Sequence, residues 1–222
     1  MTGRPTFSTM SHARQQACGT TMLHKRTTKD TIMKCQPRFS RCAMFTCLIA
    51  LLLAQVGLAD GVVTVTLRGN NLVVTGDAGS NGFGLFPAEN APLFIDMLAA
   101  PGTVIRAPQL DFEGVSLELP DFTNISIDLG AGLDGILVQG VAIPGNFLYS
   151  DNAGPNSVTL DTCVFGGSLG IKCGNGDSDI AIFGALCNKN LQVQLGNGKN
   201  TLVISEWLSL SSASISTGDG DD

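Results

Sequence analysis

The sequence predicts an all-β protein, a parallel β-solenoid built on a 22-residue repeat. The first observation is a glycine turn that recurs at that spacing, as Gly174-Asn-Gly176, Gly196-Asn-Gly198 and Gly218-Asp-Gly220. The second is that apolar and polar residues alternate between the turns, which is the period of a strand. The third is that residues 103–222 contain no ten-residue stretch with helical periodicity. One such coil cannot bury its inward side chains, so successive coils must stack.

Apolar residues that are 22 positions apart form columns. One of these columns contains Ile127, Tyr149, Ile171, Val193 and Ile215. Coils stacked about 4.8 Å apart pair each strand in parallel with its copy one coil away, and right-handed winding is the expected hand. In the first clear copy we expect strands at 125–129, 136–138 and 141–143, and we expect about seven coils in all.

Residues 103–222 are assigned to the repeats, and residues 60–102 to the first coil and an N-terminal cap. Strands are expected on both sides of the Gly69-Asn-Asn71 turn. A short capping helix is predicted over 90–102, with Asn90 as N-cap and Pro101-Gly102 as the stop. Residues 103–107 fit the repeat frame, whereas Val115 and Leu117 come one position early, which predicts a 21-residue coil.

The first 59 residues differ in composition from the rest of the chain. Residues 33–59 have a basic start, an apolar run and a small-residue end at Gly57 and Ala59, which is the layout of a secretory signal peptide. The alternative is an uncleaved membrane anchor, for which the apolar run is short. Residues 1–32 are interpreted as a non-structural extension upstream of the signal. The predicted location is therefore extracellular or at the cell surface.

Residues 60–222 carry eighteen acidic and five basic side chains, a net charge of −13. This charge argues against a nucleic-acid partner, because phosphates require neutralisation by lysine and arginine. Three cysteines remain in this region: Cys163, Cys173 and Cys187. Cys163 and Cys187 fall in inward columns on adjacent coils, two positions apart along the strand. This places their Cα atoms about 8 Å apart, beyond the usual reach of a disulfide, and favours buried free thiols. Tyr149 and Trp207 are likewise expected in the core.

The glycine turn reads G-x-G-x-[D/N], and its last position suggests two interpretations. Asn and Asp side chains bond the backbone of tight corners, which gives a purely structural role. Carboxylates stacked beside turn carbonyls can instead bind calcium, which takes about six to eight oxygen ligands. The candidate ligands are Asp134 and the terminal group Asp219, Asp221 and Asp222. Calcium is the one cofactor that the sequence suggests.

The same residues resemble a family of secreted bacterial repeat proteins that is common in planctomycetes. The resemblance is carried by 145–158, 167–182 and the opening segment 75–81. The turn is also similar, more distantly, to the calcium-binding nonapeptide repeat of RTX proteins. This resemblance implies an exported β-solenoid and implies no established activity. The chain departs from the family in having Asn or Ser at several positions of the motif acids.

An enzyme is the main alternative function, because pectate-lyase-like β-helices have coils of similar length. Their sites require charged side chains that converge on one outer face, whereas the outward columns here offer only Asp128 and Lys172, two coils apart. Asp111, Glu113 and Glu118 form a possible carboxylate group for glycoside hydrolysis. Residues 60–222 contain no histidine, which leaves few candidates for acid–base catalysis.

The predicted function is that of a non-catalytic, exported structural repeat protein of the surface, matrix or adhesion type, with calcium as a candidate stabiliser. A polysaccharide lyase or hydrolase is the second hypothesis. A fragment of a larger calcium-binding repeat protein is the third, since the sequence stops within a glycine turn. Partners are not specified, although further repeats or end-to-end self-association are expected at the C-terminal end. Membrane contact is expected only through an uncleaved leader.

Overall fold

The computed structural model describes residues 60–89, 91–209 and 211–220, without the side chains of residues 91–93, 208 and 209. The predicted leader, residues 1–59, lies outside the described residues. Apart from one 3-10 turn at Pro108–Leu110, the regular structure in the described part is entirely β. The strands are β1 Val62–Arg68, β2 Asn71–Thr75, β3 Gly82–Ala88, β4 Ala91–Ala99, β5 Val104–Ala107, β6 Phe112–Gly114, β7 Ser116–Glu118, β8 Asn124–Asp128, β9 Asp134–Gln139, β10 Ala142–Ile143, β11 Phe147–Asp151, β12 Asn156–Asp161, β13 Val164–Phe165, β14 Leu169–Cys173, β15 Ser178–Phe183, β16 Leu186–Cys187, β17 Leu191–Gln194, β18 Asn200–Ser205, β19 Leu208–Ser209 and β20 Ala213–Ser216.

The parallel β-solenoid is confirmed, with about four turns of about 22 residues. From β8 onwards each coil contributes one strand to each of three sheets. The first sheet continues through β8, β11, β14, β17 and β20, the second through β9, β12, β15 and β18, and the third through β10, β13, β16 and β19. Every pair of neighbours within these runs is parallel and offset by 22 residues.

The predicted columns form the core. Tyr149 lies opposite Ile127 on one side and Ile171 on the other, and Ile171 lies opposite Val193. These four side chains are at most 1 % exposed. Burial of each aliphatic side chain of this kind contributes on the order of 1.5–3 kcal/mol relative to leaving it in water. The stack is therefore stabilised by one continuous apolar interior.

The glycine corners are required mainly because successive coils approach closely. Gly132 and Gly154 do have positive φ values, of 138° and 102°, as expected for a tight corner. Gly176 and Gly198 do not, but a Cβ on Gly176 would overlap the carbonyl oxygen of Gly154, and one on Gly198 would overlap that of Gly176. The corners of neighbouring coils thus touch backbone to backbone, which leaves no room for a side chain.

The predicted helix over 90–102 was wrong. Residues Ala91–Ala99 form β4, which pairs antiparallel with β3 on one side and with β7 on the other. Its side chains alternate, since Ile95 and Met97 are buried whereas Phe94 and Leu98 are exposed. The strand edge of β3 offers backbone partners to Ala91 and to residues 95–99, and this pairing outweighs the local helix signals of Asn90 and Pro92.

The predicted 21-residue coil beginning at Thr103 was also wrong, and with it the count of about seven coils. β5 pairs in parallel with β1, and β6 and β7 pair antiparallel with β5 and β4. The strand beneath β8 is β2, so Ile125 lies opposite Leu72, 53 residues earlier. β3 lies beneath β9 in the same way. Residues 89–123 therefore leave the stack and cover its N-terminal end.

Candidate functional site

In the glycine turns whose last position is described, that residue points into the protein. Five residues share this buried column and are at most 5 % exposed: Asn81, Asp134, Asn156, Ser178 and Asn200. Asn81 is the member that the 22-residue spacing missed, because the excursion of residues 89–123 separates it from Asp134 by 53 positions. Its signal in the sequence is the Gly-rich segment 76–82 that precedes β3.

Most members of this column donate hydrogen bonds to the carbonyl groups of their own turn. Asn156 Nδ2 donates to the Gly154 carbonyl at 3.0 Å, Ser178 Oγ donates to that of Gly176 at 3.3 Å, and Asn200 Nδ2 donates to that of Gly198 at 3.0 Å. Buried carbonyl groups require such partners.

Asp134 differs from its column neighbours because an ionised carboxylate has no donor. Its Oδ1 accepts a hydrogen bond of 2.7 Å from the backbone N–H of Asn81, whereas its Oδ2 is buried and receives none from the described residues. The carboxyl group of Asp151 lies within hydrogen-bonding range of it. Two buried carboxyl groups thus meet between the first and the second regular coil, since Asp134 begins β9 and Asp151 ends β11.

Asp151 is the last residue of β11. The residues 22 and 44 positions later, which occupy the same place in the next two coils, are Cys173 and Leu195. Its Oδ1 accepts a 3.0 Å bond from the Ala153 backbone N–H, and its Oδ2 is 3.4 Å from the Tyr149 hydroxyl. The same hydroxyl is 3.2 Å from Asn156 Oδ1. Tyr149, predicted as a core residue, is buried as expected and also serves as a donor to this polar cluster.

Burial dominates the electrostatics of the pair. Loss of solvation raises the pKa of Asp134 from 3.8 to about 7, and the charge of Asp151 adds to the rise, while the Asn81 N–H opposes it. Burial also raises the pKa of Asp151, against the bonds donated by Ala153 and Tyr149. Both carboxyl groups therefore resist ionisation, and the protonation of each one depends on the state of the other.

A calcium site at Asp134 stays a prediction. Three of the four carboxyl oxygens of Asp134 and Asp151 lie within hydrogen-bonding distance of donors, and calcium takes about six to eight oxygen ligands. Among the described residues no three Asp, Glu, His or Cys side chains converge in a way that could hold a metal ion. The structural interpretation of the turn position accounts for the contacts that are present.

The other predicted calcium ligands lie at the far end of the stack. Asp219 is exposed, and its backbone N–H donates to Asn197 Oδ1 at 2.9 Å. It belongs to the corner four coils beyond that of Asp134, which corresponds to roughly 19 Å. The structure therefore does not bring Asp134 and Asp219 together. Asp221 and Asp222 lie outside the described residues, so a calcium site at the terminal acids stays a prediction.

The charged residues considered for an enzyme are dispersed. Asp128 and Lys172 are separated by Ser150 on the intervening strand, about 10 Å apart. Glu113 forms an exposed ion pair of 2.8 Å with Arg106, whereas Glu118 belongs to β7 in another sheet, opposite Asp96. The shallow hollow beside Lys172 has a volume of about 100 Å³ and is otherwise lined by neutral residues.

The three cysteines in the described part of the chain are free and buried, as predicted for Cys163 and Cys187. Burial raises the pKa of the Cys163 and Cys173 thiols to about 11, so neither is a thiolate at neutral pH. Trp207 packs partly buried against the core, in agreement with its predicted column. These residues fill space and offer no nucleophile.

No protein-family model, no curated protein and no solved structure matches the chain. The resemblance to secreted repeat proteins therefore rests on the motif residues themselves. None of the described residues belongs to a helix long and apolar enough to cross a membrane. Function has to be inferred from the geometry of this molecule.

Proposed function

We propose that the chain is an exported, non-catalytic structural module of the surface, matrix or adhesion type. The observation that carries this proposal is the use of polar side chains to bind the backbone, both within a coil and between coils. The amides of the inner column satisfy carbonyl groups of their own turn, and the outward Asn residues bond the backbone of the following coil. Such groups support a rigid rod and are not available for chemistry on a substrate.

The outer corner shows this use of side chains most clearly. Asn124 Oδ1 accepts a hydrogen bond of 2.8 Å from the backbone N–H of Asn146, and Asn146 Oδ1 accepts one of 2.8 Å from that of Ser168. A second ladder links Asn175, Asn197 and Asp219 at the glycine corners. Each rung fixes the register between coils at the surface, where the apolar core does not reach.

Export is supported by the contrast between the two parts of the sequence. A basic leader with an apolar run precedes a region whose net charge is −13, and the glycine corners and neutral outer columns suit a solenoid that remains soluble outside the cell. The leader residues themselves are the most direct support, since their order follows that of a signal peptide.

The strands β18, β19 and β20 are the outermost described strands of the three sheets, and they form the face through which the module would join others. Strand edges of this kind pair readily with further strands. Ile215 continues the core column of Ile127, yet it is 49 % exposed where Ile127 is fully buried. Additional coils, or a second copy of the chain, would cover it.

The proposal is tested by expressing the full-length chain in a secreting bacterial host. We expect the product in the medium or on the cell surface with a β-sheet circular dichroism spectrum, and without activity on acidic or neutral polysaccharides. The control variants are Lys172→Ala and Asp128→Asn. Polysaccharide cleavage by the wild type that either substitution abolishes would overturn the non-catalytic proposal, and retention in the cytoplasm would overturn export.

A further inference from the structure

The acidic pair between the first and the second regular coil has a role beyond packing. We propose that Asp134 and Asp151 share a single proton within the stack, and that this proton makes the folded solenoid most stable in acidic surroundings. The pair then acts as a built-in pH-sensitive element of the rod. This inference concerns the folded state itself and does not depend on the function proposed above.

The hydrogen-bond count supports a shared proton. The Asn81 and Ala153 N–H groups each donate to one carboxyl group of the pair. The single Tyr149 hydroxyl proton lies within range of both Asp151 Oδ2 and Asn156 Oδ1, and Asp134 Oδ2 is buried without a donor among the described residues. An unpaired buried acceptor is costly. A proton on the Asp134 carboxyl group converts one acceptor into a donor toward Asp151, so the two carboxyl groups bond to each other and carry one negative charge between them.

The surroundings favour keeping that proton. The titratable groups that act on the pair are Asp128 on β8, Tyr149 on β11 and Cys173 on β14, each of which is neutral or negative. The remaining polar side chains of the inner column, Asn156 and Ser178 among them, are uncharged. A second negative charge would therefore meet no compensating cation in this part of the interior.

The direction of the pH effect follows from the raised pKa of Asp134, about 7 against 3.8 for an ordinary Asp. The folded state keeps a proton that the unfolded chain releases near pH 4. The equilibrium constant for folding therefore falls by up to about tenfold for each pH unit between about 4 and 7, and levels off above 7. Stability is highest on the acidic side of this window.

The column itself suggests the variant that tests this proposal. Asn occupies the equivalent position in the next coil, at Asn156, and again at Asn200. Asp134→Asn keeps the shape and the acceptor for the Asn81 N–H, supplies a permanent donor and removes the titration. The matched control is Asp179→Asn, an exposed carboxyl group on β15 that changes the net charge by the same amount.

The experiment measures the thermal and urea midpoints of the full-length chain and both variants from pH 4 to 8. We expect the wild type and Asp179→Asn to lose stability over this range, and Asp134→Asn to lose markedly less. Infrared spectra at pH 6 should show the C=O band of a protonated carboxyl group in the wild type and in Asp179→Asn, and not in Asp134→Asn.

Identical pH profiles for Asp134→Asn and Asp179→Asn would overturn the proposal, as would the absence of the carboxylic acid band at pH 6. A calcium-induced rise of the wild-type midpoint at pH 8 that Asp134→Asn abolishes would also overturn it, because the pair would then hold a cation. If Asp134→Asn does not fold, Asp151→Asn gives the same test. Its amide oxygen still accepts from the Ala153 N–H.

Discussion

The first and the last described coils of the solenoid differ in how their apolar side chains are covered. At the N-terminal end, β5 and β6 extend one sheet past β1, and β4 and β7 extend another past β3. Each extension ends in an antiparallel pair, and the edge strands β6 and β7 have only three residues each. In the last described coils, β18 and β20 place apolar residues at the same positions as the strands of the central coils. Those apolar residues are nevertheless half-buried or exposed. A repeat buries its side chains only where a further layer covers them, so an end requires a different sequence.

The N-terminal cover is a compact structure in its own right. A 3-10 turn brings Gln109 over β1, where its Oε1 accepts a hydrogen bond of 2.7 Å from the Leu67 N–H. An apolar pocket of about 260 Å³ lies beneath it, lined by Val65, Leu72 and Leu110 among others. Arg106 and Glu113 bridge the outside of β5 and β6. Short, twisted and charged edges of this kind discourage pairing with another chain.

The largest expected effect is a charge buried at the covered end. Met97 on β4 is fully buried, so Met97→Asp places a carboxylate among apolar side chains and should lower the free energy of unfolding by about 4 kcal/mol or more. Ile215→Asp makes the same chemical change at the open end and should cost less than about 1 kcal/mol. Urea unfolding followed by circular dichroism measures both. Equal costs would show that the two ends are equally covered.

A smaller effect is expected from adding a methyl group at a corner of the stack. Gly176→Ala would drive a Cβ into the carbonyl oxygen of Gly154 and should cost about 2–3 kcal/mol. Gly69→Ala, in the N-terminal hairpin, has open space around it and a φ of 59°, so it should cost about 1 kcal/mol. Similar destabilisation by both substitutions in thermal unfolding would contradict close backbone contact between coils.

The smallest free-energy change is expected in the self-association of the chain through the face formed by β18, β19 and β20. Ile215→Asp should weaken self-association of the full-length chain several-fold, measured by sedimentation velocity across a concentration series, because a carboxylate replaces the exposed apolar residue of the edge. Leu148→Asp is the control: Leu148 is similarly exposed, at 45 %, but lies on the outer face of the central stack. Loss of association in the control alone would place the contact on the sheet face.

The stack from Asn124 onwards could be predicted almost residue by residue. The repeat predicts strands at 125–129, 136–138 and 141–143, and the structure has Asn124–Asp128, Asp134–Gln139 and Ala142–Ile143. The prediction succeeded because neighbours in space are copies in sequence, so each position is constrained by equivalent residues 22 positions away. The buried Tyr149 and the free thiols followed from the same columns.

The sequence predicts only one member of the acidic pair. It identifies Asp134 as a turn residue, but it does not distinguish an outward calcium ligand from an inward hydrogen-bonding partner. Asp151 was missed, although it occupies a position shared with Cys173 and Leu195, where an acid is out of place in an apolar column. The two residues are 17 positions apart in different columns. They meet because Asp134 leaves the glycine corner of one coil and Asp151 enters the glycine corner of the next.

The sequence by itself determined the repeat, the parallel pairing and the apolar interior, because periodicity is a property of the chain that stacking reproduces in space. The secondary structure and the pairing partners of residues 89–123 were decided by tertiary structure alone. There the local signals favoured a helix and a further coil, yet Ala91–Ala99 became a strand and Val104–Ala107 paired with β1 rather than β8. The unpaired backbone at the edges of β1 and β3 needed partners, and a segment that supplies them gains more from that pairing than from its own local preference.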